Sequence, residues 1–251
     1  MAGIRAGFLV GTLIAGLALV TVHEPAQAMT AGATSHQVAA VRGDVTGDGI
    51  PDLISSSAGR LLADWGKAPD IGGGIHVTPG GASFPALRTA FITQDTGIIS
   101  GVGEAGDGFG FALATGDFDG DGHADVAIGS PFEEAGNVKD AGRVTVLYGT
   151  STYPYLEPRG LSDIVQGLHG IPGGPETDDR FGSTLATGDF NADGYADLAI
   201  GAPYEDIGTV DNTGAIQVLY GKATDGLTVS GLQVIENGIA RTSRHHAPRE
   251  R

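Results

Sequence analysis

Short apolar runs separated by turns rich in Gly and Asp recur along most of the chain. In one stretch they fall at Phe111 to Thr115, Asp125 to Gly129 and Arg143 to Tyr148, followed by Asp163 to Gln166. Runs of four to six residues bounded by such turns predict strands, and no long stretch beyond the N-terminal segment carries apolar positions at helical spacing. The pattern predicts an all-β chain.

The runs belong to a repeat. Phe109 to Gly149 returns as Phe181 to Gly221, with 24 identities over 41 aligned positions. A worn third copy opens at Asp44, so the first aspartates of the three turns are spaced by 73 and 72 residues. In this copy His36 stands where the opening Phe is expected. Gly74 to Gly80 matches Arg143 to Gly149, with Pro79 ending that strand or confining it to an edge, and a four-residue insertion around Leu61 to Asp70 accounts for the extra length. Thr89 to Gln94 is the counterpart of Asp163 to Gln166. Self-similarity at this period marks a repeat architecture, and four strands per unit around an axis describe a propeller blade. The blades are expected at about 36–100, 101–167 and 168–235. A fourth unit is expected from Gly226, but the Phe-Gly pair due near position 248 is replaced by Ala247-Pro248-Arg249. The expectation is therefore an incomplete propeller of about three blades plus a fragment. Residues 236–251 form an atypical basic tail, read as a truncated or frame-shifted end in preference to a natural one.

Each unit carries an acidic turn. Asp117, Asp119, Asp121 and Asp125 occupy loop positions 1, 3, 5 and 9, with the His123 carbonyl available at position 7. The later copy offers Asp189, Asn191, Asp193 and Asp197 with the Tyr195 carbonyl, and the first offers Asp44, Thr46, Asp48 and Asp52 with Ile50 at position 7. Calcium takes six to eight hard oxygen ligands, and alternating side chains on a tightly curved loop can converge on one ion. Gly122 permits the sharp turn. An EF-hand also opens with this spacing, but its bidentate Glu belongs at position 12, where Ile128 and Ile200 stand, and strands replace its flanking helices. A polar turn without metal is the plainer alternative, strongest for the first unit with Thr46 at position 3.

Composition narrows the setting. Residues 1–28 combine an early cation at Arg5, an apolar run from Ala6 to Val22 and small residues at Ala26 and Ala28, which predicts a secretory signal peptide cleaved before Met29 and a secreted, extracellular product with no membrane partner. The net charge of −16 argues against nucleic acid and suits divalent cations. With no Cys there is neither a disulfide framework nor a thiolate site, so calcium is the expected staple. The 43 Gly residues, clustered around the repeats, favour tight turns over disorder.

At Phe109-Gly110 with Gly129-Ser130-Pro131, and Phe181-Gly182 with Gly201-Ala202-Pro203, each enclosing an acidic loop, the chain resembles the FG-GAP repeat family found in the integrin α-subunit propeller and its bacterial relatives. The resemblance covers about residues 36–235. It implies a β-propeller with Ca2+ in loops between strands of a blade, and a binding or adhesion role toward an extracellular protein or glycan ligand. The family's seven-blade ring needs about twice the repeats present here, so open blade edges imply self-association.

Other features carry less. Arg42-Gly43-Asp44 spells a cell-attachment tripeptide, but Asp44 already serves as the first loop residue. Phe109, Phe181, Tyr148 and Tyr220 are expected to pack between blades. Glu133-Glu134 and Glu205-Asp206 read as solvated loop charge. No G-x-S-x-G elbow, H-E-x-x-H helix or Cys nucleophile is present, so the chain itself reads as non-enzymatic. The rival reading is a secreted hydrolase, or the accessory propeller of one.

Overall fold

A computed structural model describes residues 40–57, 72–81, 88–99, 103–104, 106–236 and 239–242. The signal segment, His36, the Leu61 to Asp70 insertion and the stretch around position 248 lie outside the described residues.

The described chain is all-β. The first antiparallel sheet is a meander of β1 (Ala40–Gly43), β2 (Asp52–Ser57), β3 (Gly74–Thr78) and β4 (Ala90–Ile92). The second contains β5 (Ala112–Gly116), β6 (Asp125–Ser130) and β7 (Arg143–Gly149), with β8 (Leu156–Glu157) and β9 (Asp163–Ile164) sharing the outer side of β7. The third runs through β10 (Thr184–Gly188), β11 (Asp197–Ala202), β12 (Ala215–Tyr220), β13 (Thr228–Glu236) and β14 (Ile239–Thr242). Equivalent strands pair in the same way one unit apart: Leu113 opposes Ile128 as Leu185 opposes Ile200. Among the described residues the three sheets do not close into a ring.

Two expectations need correction. The stretch from Gly226 is not the opening of a fourth unit, because β13 pairs along β12 as the fourth strand of the third sheet. Part of the segment read as a tail is β14, which adds a fifth strand to that sheet.

The core lies between sheets, where the apolar face of one blade meets the next. Phe109, Leu113, Val126 and Ile128 of the second sheet pack with Ile54, Ile75, Val77 and Ile92 of the first. Phe181, Leu185, Leu198 and Ile200 of the third pack likewise with Phe118, Val144, Val146 and Tyr148 of the second. The motif residues form the seam itself. The Phe109 amide donates to the Gly72 carbonyl at 2.8 Å, and the Phe181 amide to the Ala141 carbonyl at 2.9 Å. Within a blade the amides of Gly110 and Gly182 donate to the carbonyls of Gly129 and Gly201. Gly182 has φ 85°, and a Cβ there would stand 2.7 Å from the Arg143 carbonyl, so no side chain fits between the blades at that point.

Phe109, Phe181 and Tyr148 are fully buried, as their packing role requires. Tyr220 is only partly covered, because its face of the third sheet has no described neighbour of the kind that covers Tyr148. On the same face Phe190 is 51% and Ile216 43% exposed, whereas their counterparts Phe118 and Val144 are fully buried.

Candidate metal centre

Each acidic turn links the first and second strands of its sheet. Its first carboxylate curls the chain by accepting backbone amides further along. Asp117 takes the amides of Gly120, Asp121 and Gly122; Asp189 takes those of Asp193 and Gly194; Asp44 takes those of Asp48 and Gly49. The position-7 amides of Ile50, His123 and Tyr195 donate to Asp48, Asp121 and Asp193. Asp119 and Asn191 each accept the amide two residues on.

The position-9 aspartates Asp52, Asp125 and Asp197 are fully buried and brace the blade. Asp125 accepts the Phe118 amide at 2.7 Å and the Gly149 amide at 3.0 Å, tying the turn to the end of β7. Asp197 repeats this with Phe190 and Gly221, and Asp52 with Thr46 and Gly80. Burial pushes the Asp125 carboxyl up to about 8 against the pull of those amides, and raises Asp197 and Asp119 for the same reason. Nearby positive charge would hold such groups ionised.

One ligand atom each from Asp117, Asp119 and Asp125 lies within 4.8 Å of the others. Asp119 Oδ2 is buried and receives no hydrogen bond, although Arg159 Nη2 makes an ion pair with it at 2.8 Å without hydrogen-bond alignment. In the first turn Thr46 Oγ1 is also buried without a partner. This donor set of hard oxygens, with a buried carboxylate oxygen lacking a hydrogen bond, fits a divalent cation. Asp121 is not among these three. Its Oδ2 accepts from Arg159 and its Oδ1 from the His123 amide; although its partial burial opposes ionisation, these contacts hold its carboxyl below the usual carboxylate range. The His123 ring lies 3.3 Å from Asp121 and against Gly47 of the preceding turn, so the imidazole contributes packing. In the third turn Asn191 Nδ2 donates to Asp193 Oδ2, which brings positions 3 and 5 together.

Consecutive turns are joined through their backbones. The Ala124 amide donates to the Asp44 carbonyl at 2.7 Å, and the Ala196 amide to the Asp117 carbonyl at 3.0 Å.

Residues 109–147 and 181–219, the two units just described, match the FG-GAP repeat family. The chain carries FG-GAP repeats. Its FG-GAP region is similar to the phosphatidylinositol-glycan-specific phospholipase D of Rattus norvegicus, 37% identical over 121 residues, covering 48% of this chain and 14% of that protein. The phospholipase D of the same description from Dictyostelium discoideum is 30% identical over 197 residues, covering 74% of this chain and 20% of that protein. Integrin alpha-PS2 of Drosophila melanogaster is 37% identical over 123 residues, covering 47% of this chain and 8% of that protein. The chain thus spans a small part of the length of these relatives. Its FG-GAP repeats, antiparallel sheets and inter-sheet cores make the fold propeller-like. No described helix is long and apolar enough to cross a membrane.

Sequence reasoning missed several residues at and between the repeats. Glu133 and Glu205 are buried and accept hydrogen bonds from Gln94 and Gln166 of the preceding sheet's outer end, while Glu134 and Asp206 are exposed as expected. The 39-residue separation in both pairs was the available signal. Arg159 has no counterpart in the better-matched copy, so the repeat alignment hid it.

Proposed function

We propose that the chain is a secreted, calcium-binding FG-GAP module that acts by binding or adhesion toward an extracellular protein or glycan. The observation that carries the reading is the oxygen trio Asp117, Asp119 and Asp125, with Asp119 Oδ2 buried and free of hydrogen bonds. Calcium in the second loop would be held by Asp117, Asp119 and Asp125; in the third by Asp189, Asn191, Asp193 and Asp197; and in the first by Asp44, Thr46, Asp48 and Asp52. The similarity to an integrin α chain supports adhesion, and the N-terminal apolar segment supports export. Loops on a rigid repeated scaffold supply the recognition surface. The exposed apolar positions Phe190 and Ile216 support self-association.

The similarity to phospholipases D favours a second reading, in which the module is the accessory propeller of a hydrolase. Immobilised protein should capture members of a panel of extracellular proteins and glycans in millimolar calcium and release them into chelator. Calcium-independent capture, or none, counts against the first reading. Hydrolysis of phosphodiester, ester or glycoside substrates by the secreted protein would favour the second.

A further inference from the structure

A permanent positive charge is built into the second acidic loop. Arg159 lies just after β8, and its Nη2 stands 2.8 Å from Asp119 Oδ2 at loop position 3 and 2.8 Å from Asp121 Oδ2 at position 5. Its guanidinium also faces the Tyr148 ring, with its central carbon 5.0 Å from the centroid. The Tyr148 hydroxyl in turn accepts the Leu227 amide of the third sheet at 3.2 Å. Arg159 therefore touches both the loop and a residue of the second blade seam.

The third loop is built differently. Thr228 pairs with Tyr220 where Glu157 pairs with Tyr148, so the stretch corresponding to Arg159 is Thr228 to Gly231, which contains no cation. Among the described residues no Lys or Arg pairs with Asp189, Asp193 or Asp197. The third loop also has Asn191 where the second has Asp119. Counting Arg159 with its loop, the carboxylates at positions 1, 3, 5 and 9 give a formal charge of −3 in the second loop, the same as the three carboxylates of the third. In the first unit the Arg88 guanidinium lies over the Tyr153 ring.

We infer that Arg159 is a resident counter-cation that competes with a divalent ion for the loop Asp117 to Asp125. This rests on the calcium reading above. A divalent ion shared by Asp117, Asp119 and Asp125 draws on the carboxylate that Arg159 neutralises, and it places like charges side by side. The guanidinium cannot shed its proton to relieve the conflict, so it must move. Filling the second loop therefore draws Arg159 away from Asp119, and the third loop fills without any such displacement.

Calcium titration calorimetry on the full chain tests this with the wild type, Arg159→Gln, Arg159→Lys and the double variant Arg159→Gln/Asp117→Asn. Arg159→Gln should tighten one class of site about tenfold, since affinity in such loops follows ligand charge. Arg159→Lys should stay near wild type, and Asp117→Asn should abolish the tightened class. Identical titrations of the wild type and Arg159→Gln overturn the proposal while leaving the calcium reading intact. Absence of calcium binding in every protein overturns both. If Arg159→Gln does not fold, the wild type still decides: phenylglyoxal modification of Arg159, read by peptide mass spectrometry, should rise severalfold on adding calcium. Modification indifferent to calcium overturns the proposal.

Discussion

Gln94 Nε2 donates to Glu133 Oε2 at 2.7 Å across the first blade seam, with both side chains buried, and Gln166 does the same for Glu205 across the second. The amide of one sheet's outer end thus satisfies a carboxyl carried by the next sheet. Replacing Gln166 with Leu leaves Glu205 buried without that donor and should cost about 1–3 kcal/mol in urea unfolding at pH 7. The exposed neighbour serves as the control: Glu134→Gln should stay within about 0.5 kcal/mol of wild type.

Glu205 also sets a pH dependence. Burial, reinforced by Asp179, Glu176 and Glu236 and opposed by the Gln166 bond, raises its carboxyl from 4.5 to about 7. The folded state thus holds this proton more tightly than the unfolded chain. Its contribution is fully present below about pH 4.5 and is lost as pH rises through about 7. Asp179, raised chiefly by burial to about 6, acts in the same direction. Glu205→Gln removes the pH-dependent part from one partner, so its melting temperature relative to wild type should climb between pH 5 and pH 8. A relative melting temperature that falls over that range contradicts the assignment.

Calcium should stabilise the fold. With dissociation constants of about 10⁻⁴ to 10⁻³ M, 10 mM calcium adds about 1.4–2.7 kcal/mol per filled site over excess chelator. Asp189→Asn should reduce the calcium-induced rise in melting temperature. A melting curve indifferent to both ion and chelator excludes these loops as native-state calcium sites.

Glycines at the seam and in open loops should respond oppositely to a methyl group. Gly182→Ala meets the Arg143 carbonyl at a positive φ, and should cost more than about 1 kcal/mol. Gly174 has open space around its Cβ position and no positive φ, so Gly174→Ala should be neutral or stabilise by up to about 1 kcal/mol. Chemical denaturation of the two variants side by side measures the contrast.

The partly uncovered face of the third sheet should make the protein self-associate. Phe190→Ser combined with Ile216→Ser should lower the concentration-dependent mass in sedimentation equilibrium without changing the circular dichroism spectrum. Unchanged association would assign the contact to another surface.

What could be read in the chain follows from how far apart the interacting residues are. The strands around Leu113, Ile128 and Val146 were legible because short apolar runs bounded by turn glycines are local signals, and the copy at residues 181–221 repeats them. The acidic turns were legible for the same reason, their ligands lying within nine residues. Glu133 was misread as solvated because its partner, Gln94, comes from the preceding sheet, and only the stacking of blades brings them together. Arg159 lies 38 residues from Asp121 and is absent from the better-matched copy, so neither locality nor repetition pointed to it. The run from Gly226 was misassigned because a strand's place in a sheet depends on pairing with β12, which its own residues do not encode.

The bonds from Ala124 to Asp44 and from Ala196 to Asp117 bear on how such a chain can grow. The second unit brings an amide for its predecessor and a carbonyl for its successor, both inside the same nine-residue turn. Duplicating or deleting a whole unit in the gene preserves every one of these links, whereas a break inside a turn removes one link and leaves an acidic half-loop. Recombination should therefore change this protein's length in whole steps of about 72 residues.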